Sequence, residues 1–208
     1  MTLDNFVVFE GIDGAGTSTQ IKILKERPES SRISFSAEPT EGPTGRFLRE
    51  ILGGKIELNP KTTAFLFAAD RAEHVWGKGG IVDSVNEGKA VVIDRYIFSS
   101  LAYQGVSCGK QLPRKLNEDF PLPSLLFFFD INPETSLKRI KNRDVTEIYE
   151  NNDYLTQTRK QYLEVLEEYK NNPHSDGMKI VTIDATKPKE EIAKIIWSHI
   201  SNLPIFKS

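Results

Sequence analysis

Residues 11–19 read Gly-Ile-Asp-Gly-Ala-Gly-Thr-Ser-Thr and lie between an apolar run at 6–10 and a helical pattern that starts at residue 17. A buried strand, a glycine-rich turn and a helix in this order are typical of a phosphate-binding loop, because glycine lets successive N–H groups point at one anion. The N-terminus of the helix adds partial positive charge there. The segment predicts a site for nucleotide phosphates, with the candidate ligands Gly11, Asp13, Gly14, Ala15, Gly16, Thr17, Ser18 and Thr19.

One position of this loop departs from the usual pattern. In G-x-x-x-x-G-K-[ST] a lysine precedes the hydroxyl residue, and here that position holds Thr17. The next residue, Ser18, stands where a hydroxyl binds Mg²⁺ in such loops. The sequence predicts an intact backbone cradle for phosphate that lacks its usual side-chain cation.

Composition limits the classes of protein to consider. The chain has 208 residues with 27 basic and 29 acidic side chains, a length that suits one domain and a charge balance that argues against bulk nucleic-acid binding. Cys108 is the single cysteine, which excludes an intramolecular disulfide and fits a reducing compartment. The longest apolar run, 125–129, is far too short to cross a bilayer. We expect a cytoplasmic protein with no membrane or nucleic-acid partner.

Apolar runs of strand length alternate with helical patterns along the chain. The predicted strands are 6–10, 33–36, 90–93, 125–130 and 179–184, and the predicted helices are 17–26, 44–52, 62–76, 134–141, 153–169 and 189–201. Strands that are apolar almost throughout are typical of parallel sheets buried on both faces. We therefore predict an α/β fold, a doubly wound five-stranded parallel sheet flanked by helices, as one domain over residues 1–208. The segment at about 139–153 is the candidate for a lid.

A second motif lies where ligands of such sheets bind, beyond the carboxyl ends of the strands. Asp94 and Arg95 follow the third predicted strand. A carboxylate at this place can hold Mg²⁺, directly or through water, and an arginine can bind phosphate through two N–H groups. Asp94 and Ser18 are therefore the candidate metal ligands. The alternative is a structural pair of Asp94 with Arg95 that caps the next helix.

Two motifs together resemble the thymidylate kinase family, whose members phosphorylate dTMP. They are G-x-D-G-x-G-x-S-T-Q at 11–20 and D-R-Y-x-x-S-S-x-A-Y-Q-G at 94–105. The resemblance continues in Glu38-Pro39-Thr40, in 45–49 and in 65–74, and reaches into the candidate lid, so that it covers about the first 150 residues. It implies that this chain is a phosphotransferase that uses ATP and Mg²⁺ and acts as a homodimer.

The resemblance also implies a role for single residues of the substrate site. In the family an aromatic residue four positions before an arginine forms the thymine site, and Phe67 and Arg71 have this spacing, which puts both on one face of a helix. Asp13 then resembles the acceptor of the 3′-hydroxyl hydrogen bond, and Tyr103 the residue that crowds the 2′ carbon of the sugar. The full set implied to bind dTMP is Asp13, Glu38, Pro39, Phe67, Arg71, Arg95, Ser99, Ser100, Tyr103 and Gln104.

The residues alone leave alternatives for two members of this set. Phe67 stands beside Phe65 and Leu66, so its ring could instead pack in the core. Arg71 could form a surface ion pair with Asp70 or Glu73.

Because the family usually carries lysine at the position of Thr17, we expect cations of the lid to supply the missing charge. The candidates are Arg139, Lys141 and Arg143, and the implied catalytic set is Asp13, Ser18, Asp94, Arg95, Arg139 and Arg143. Two other functions stay open. One is a kinase of the same fold with another nucleotide or nucleoside acceptor, and the other is a nucleotide-binding homologue weakened or inactivated by Thr17.

Overall fold

Five apolar runs form one parallel sheet in the computed structural model, which describes residues 1–141, 148–149, 151–175 and 177–207. The strand order is β2-β3-β1-β4-β5. Val8 in the central strand lies opposite Ile93 on one side and Leu126 on the other, and all three side chains are fully buried. The strands are β1 (Thr2–Gly11), β2 (Ile33–Ala37), β3 (Ala90–Asp94), β4 (Leu122–Asp130) and β5 (Lys179–Asp184).

Helices cover both faces of the sheet and fill the connections between its strands. They are α1 (Thr17–Lys25), α2 (Pro43–Leu52), α3 (Pro60–Trp76), α4 (Ile81–Asn86), α5 (Ile97–Ser99), α6 (Gly105–Cys108), α7 (Gln111–Asn117), α8 (Pro133–Ile140), α9 (Asn152–Lys170), α10 (Lys189–Ile200) and α11 (Pro204–Lys207). Short 3₁₀ turns occupy Pro28–Arg32 and Pro173–Ser175, and one π-helical turn, Ser100–Gln104, joins α5 to α6. In the described part of the chain, no helix combines the length and the apolar character needed to span a membrane.

The predicted fold class is confirmed, and the six predicted helices and five predicted strands occur within a few residues of the expected bounds. The largest difference at a strand end is in β1, which begins at Thr2 because Thr2 and Leu3 already pair with Leu122 and Pro123 before an irregularity in the ladder. Helices α4, α5, α6, α7 and α11 were not predicted. Each has at most seven residues, too few to show a helical period in the sequence.

The topology brings three loops together at one edge of the sheet. Because β1, β2 and β3 are neighbouring parallel strands, the segments that follow their carboxyl ends lie side by side. These segments begin at Ile12, Glu38 and Arg95. Helix α3 packs beside them and contacts both α2 and the π-helical turn. This edge therefore holds the residues that the sequence singles out.

Candidate active site

The loop between β1 and α1 has the backbone geometry of an anion cradle. Gly14 and Gly16 adopt φ values of 79° and 98°, a left-handed conformation that side chains disfavour. A Cβ atom on Gly14 would also lie 2.7 Å from the carbonyl oxygen of Ser136 in α8. Gly16 is the N-cap of α1 and has no side chain that could cap the helix. No capping side chain therefore occupies the backbone N–H groups of the first turn of α1. This arrangement suits a bound phosphate.

Ser18 and Asp94 meet across the loop as the sequence predicts. The Ser18 hydroxyl donates a hydrogen bond of 2.6 Å to Oδ2 of Asp94. The second oxygen, Oδ1 of Asp94, is buried and has no hydrogen-bond partner among the described residues. A carboxylate oxygen without a partner beside a hydroxyl is a donor set that suits hydrated Mg²⁺. The residues present therefore fit this ion.

Asp94 and Arg95 do not form the structural pair considered as the alternative. Arg95 turns to the other side, where Nη2 donates to Oδ1 of Asp13 over 2.5 Å and Nη1 donates to the Gly11 carbonyl over 3.2 Å. The Tyr103 hydroxyl donates to the other oxygen of Asp13 over 2.9 Å. Burial, together with the carboxylate of Asp13, raises the pKa of Tyr103 well above its ordinary value. Tyr103 therefore acts as a donor to Asp13, and Asp13 joins the phosphate loop to Arg95.

A cavity opens beside Asp13, between α3 and the segments that follow β2 and β3. All ten residues implied to bind dTMP line it. Sequence reasoning missed other lining residues, among them Leu52, Tyr96 and Tyr149. The Tyr149 ring lies parallel to that of Tyr154, with centroids 4.7 Å apart, and of these two rings Tyr149 is the one that lines the cavity.

Arg71 is the most deeply buried charge of this cavity, with 1 % of its surface exposed. Its Nε and Nη2 atoms donate to Oε2 of Glu38 over 2.9 and 2.6 Å, and Nη1 donates to the Ser100 hydroxyl and the Asn117 side-chain carbonyl. A guanidinium has five N–H groups, and these four bonds leave one N–H on Nη2. The predicted alternative of a surface ion pair with Asp70 or Glu73 is wrong, because Arg71 pairs inside the protein.

Helix α3 positions the rest of the pocket wall through bonds that the sequence does not reveal. His74 lies one turn after Arg71, and its Nδ1 atom is 3.0 Å from Oε1 of Glu38. Asp70 accepts hydrogen bonds from the backbone N–H and the hydroxyl of Thr40 over 2.8 and 2.7 Å. These contacts fix the segment that follows β2, in which the Glu38–Pro39 peptide bond is cis. Phe67 is half-buried and outside the core cluster, so the core-packing alternative is wrong.

Comparison with known proteins assigns the family. The profile described as "Thymidylate kinase" matches residues 9–196. The chain belongs to the thymidylate kinase family. It is 40 % identical over 200 residues to a putative thymidylate kinase of Treponema pallidum, with 95 % of each chain covered. It is 37 % identical over 205 residues to a probable thymidylate kinase of Methanocaldococcus jannaschii, covering 97 % of this chain and 99 % of that one.

Because the thymidylate kinase family usually carries lysine at the position of Thr17, we searched the surroundings of the phosphate loop for other cationic side chains. A second cavity is lined by Gly14, Ala15 and Gly16 of the loop. Three cationic residues, Arg139, Lys187 and Lys189, share its wall. The Nη2 atom of Arg139 donates to the Ala185 carbonyl over 2.9 Å, which holds this side chain over the loop cavity.

The other two candidate cations are not placed in this cavity. Lys141 is exposed and is absent from the described cavity walls. Arg143 lies outside the described residues, as does part of the candidate lid. Sequence reasoning missed Lys187 and Lys189, although both follow β5 and so lie at the sheet edge where ligands bind.

Proposed function

We propose that this protein transfers the γ-phosphoryl group of ATP to the phosphate of dTMP, giving dTDP and ADP. The observation that carries the proposal is the cavity beside Asp13. It is lined by all ten residues that the family resemblance implies and adjoins the phosphate loop. A neighbouring donor loop and acceptor pocket are what a phosphotransferase needs, because its catalysis consists mainly of positioning and charge neutralisation.

The thymine base lies against the Phe67 ring in this proposal, with Arg71 at its O4 carbonyl. The remaining N–H on Nη2 of Arg71 suits a carbonyl oxygen. Gln104 supplies the complementary group, because its buried Oε1 has no partner among the described residues and can accept from the N3–H group of thymine. Ser100 and Glu38 hold the guanidinium in place for this contact.

The sugar and phosphate of dTMP lie between Tyr103 and Arg95. Asp13 is the acceptor for the 3′-hydroxyl, and Tyr103 limits the space at the 2′ carbon. Arg95 binds the dTMP phosphate, which is the nucleophile of the transfer. This phosphate is anionic near neutral pH, so the reaction requires no dedicated general base.

The ATP phosphates lie on the backbone of residues 11–19 in this proposal, and Ser18 with Asp94 would hold Mg²⁺. When bound, the ion neutralises charge on the phosphates during transfer. Arg139 supplies the side-chain cation that Thr17 does not, with Arg143 as a second candidate from the lid. Lys187 and Lys189 add positive charge on the same cavity wall.

The proposal includes a single kinase domain over residues 1–208 with a lid at about 139–153, and a cytoplasmic homodimer. Helix α3 is the candidate dimer contact of this proposal, and it leaves Phe65 with 55 % and Trp76 with 53 % of their surfaces exposed. Light scattering of the wild type and of Phe65→Glu tests this part. A dimer that becomes a monomer supports it, whereas a monomeric wild type contradicts it.

Steady-state phosphorylation of dTMP by ATP with Mg²⁺ tests the function itself. We expect a turnover of about 1–100 s⁻¹, the usual range of kinases. A panel of acceptors checks specificity: thymidine, dUMP, dCMP and the ribose analogue of dTMP. Preference for dTMP supports the proposal. Preference for another acceptor, or nucleotide binding without turnover at high enzyme concentration, contradicts it.

A further inference from the structure

We propose that Glu10 is a positioning residue that holds Arg95 toward the acceptor phosphate. The inference rests on the proposed function, in which Arg95 binds the phosphate of dTMP. Glu10 is the next-to-last residue of β1, directly before the phosphate loop, and its side chain is completely buried. A carboxylate is rarely buried in this way unless every oxygen is satisfied, and three of the four hydrogen bonds that Glu10 accepts come from the turn after Arg95.

The first oxygen of Glu10 fixes the backbone of this turn. Oε1 accepts the N–H groups of Tyr96 over 2.8 Å and of Ser99 over 3.1 Å, which are the N-cap and the last residue of α5. On its other side Arg95 donates its own N–H to the Phe9 carbonyl over 2.9 Å. Arg95 has a φ of 67°, which is unfavourable for a non-glycine residue. The bonds on both sides hold it there.

The second oxygen of Glu10 fixes the side chain of Arg95 through Ser99. Oε2 accepts from the Ser99 hydroxyl over 2.6 Å and from the Tyr162 hydroxyl over 2.9 Å. An ionised carboxylate can only accept, so the single hydroxyl proton of Ser99 points at Glu10. The lone pairs of Ser99 then face Nη1 of Arg95, 3.2 Å away, and the Tyr162 hydroxyl, 2.7 Å away. Arg95 can only donate, and the charge of Glu10 keeps the Ser99 proton away from it.

Replacing this carboxylate by an amide reverses the hydrogen-bond direction at Ser99. In Glu10→Gln the amide oxygen must face the two backbone N–H groups, because the amide NH₂ group cannot accept from them. The NH₂ group then faces the hydroxyls of Ser99 and Tyr162 and donates to them. The amide takes one of the two lone pairs of Ser99, and Ser99 no longer donates its proton to a charged oxygen. Its oxygen is then a weaker acceptor for Arg95, and this contact weakens. The change is nearly isosteric, so it tests the proton arrangement with little change in packing.

The affinities of dTMP and thymidine separate positioning of Arg95 from a general structural role. Only dTMP carries the phosphate that Arg95 binds, so the ratio of the thymidine Kd to the dTMP Kd reports on this contact. Calorimetric titrations are made at about pH 8, where Glu10 is mostly ionised in the wild type. We expect Glu10→Gln to lower this ratio by about tenfold or more, because the dTMP complex loses one charge-assisted hydrogen bond. The Kd of thymidine should change by less than about twofold.

Two further variants complete the test. Ser99→Ala keeps Glu10 but removes its route to Arg95, and should lower the ratio in the same direction. Glu168→Gln makes the same chemical change in the exposed ion pair with Arg114 and should leave both constants unchanged. If the wild type does not prefer dTMP to thymidine, the proposed function fails. If the wild type prefers dTMP and Glu10→Gln keeps that preference, or loses affinity for both ligands equally, the positioning role is overturned.

Discussion

The cavity beside Asp13, which we propose as the acceptor cavity, adjoins the phosphate loop. The charged side chains of these two regions are held in opposite ways. In the acceptor cavity Arg71 and Glu38 are paired inside the protein, with side-chain exposures of 1 % and 3 %. At the phosphate loop the side chain that usually carries charge is replaced by Thr17, and the nearby lysines 187 and 189 pair with exposed glutamates. The acceptor cavity is thus built from buried polar groups. The phosphate loop instead combines backbone N–H groups with cationic side chains from other segments of the chain.

Because of this difference, the acceptor cavity and the phosphate loop should respond differently to mutation. Buried polar networks rigidify a site when every member is satisfied, and they are costly when one member is lost. Exposed cations contribute less and can replace one another, because water screens them. Substitutions in the acceptor cavity should therefore damage stability or substrate selection strongly, whereas the donor side should tolerate exchange of one cation for another.

Among the substitutions considered, Arg71→Lys in the acceptor cavity should have the largest effect on the free energy of unfolding. A lysine cannot reach Glu38, Ser100 and Asn117 together, so it leaves buried polar groups without partners. We expect a loss of about 3–5 kcal/mol in the free energy of unfolding, measured by urea denaturation. The matched control is Arg114→Lys, whose arginine pairs with Glu168 at the surface and whose loss should be below about 1 kcal/mol. Equal losses in the two variants would contradict the comparison.

Arg95→Met tests the acceptor side through activity. Without the guanidinium, the dTMP phosphate of the proposed complex has no arginine partner at this position, and Asp13 keeps Tyr103 as its donor. We expect kcat/KM for dTMP to fall by about 10³-fold, about 4 kcal/mol, while the Kd of ATP, measured by calorimetry, changes by less than about threefold. An equal loss of ATP affinity would show that Arg95 serves the donor side as well.

Much of this architecture could be predicted from the sequence, and the part that could not has a physical reason. The apolar runs predict the five strands because parallel strands are buried on both faces, and the glycines predict the loop because Gly14 requires a left-handed φ. Asp70, His74 and Asn117 were missed. Their partners Thr40, Glu38 and Arg71 lie 30 to 46 positions away in the sequence, and no local pattern marks such a pair.

The polar contacts of Glu10 show the same limit. In the sequence this residue ends an apolar run, and nothing distinguishes it from a solvent-facing residue at a strand end. Its bonds to Tyr96, Ser99 and Tyr162 become visible only when β1, β3 and α9 are packed together. The site could thus be predicted at the level of its loops and cavity-lining residues, but not at the level of the groups that hold them.

The pH dependence of stability tests the buried charge of Glu10. Burial raises the pKa of Glu10 from its ordinary 4.5 to about 7, although Ser99 and Arg95 act to lower it. The folded state therefore binds this proton more tightly than the unfolded state, and stability falls as the pH rises from 4.5 to about 7. Relative to Glu10→Gln, the wild type should lose about 3 kcal/mol across this window.

Urea denaturation of both proteins at several pH values between about 5 and about 8 measures this difference. Carboxylates elsewhere in the chain titrate in both proteins and cancel in the comparison. A difference in free energy of unfolding that stays constant with pH would contradict the raised pKa of Glu10.

The smallest expected effect lies on the donor side, and a double-mutant cycle measures it. Thr17→Lys restores the usual cation of the loop and should raise kcat by about tenfold, while Arg139→Ala should lower it by about tenfold, about 1.4 kcal/mol each. If Arg139 supplies the charge that Thr17 lacks, Arg139→Ala should cost much less in the Thr17→Lys background, because the loop then carries its own cation. Lys141→Ala, which removes a cation outside the described loop cavity, is the control. Additive effects of the two substitutions would mean that Arg139 acts on another part of ATP, and the cation that serves the γ-phosphate would then have to be sought at Lys187, Lys189 or Arg143.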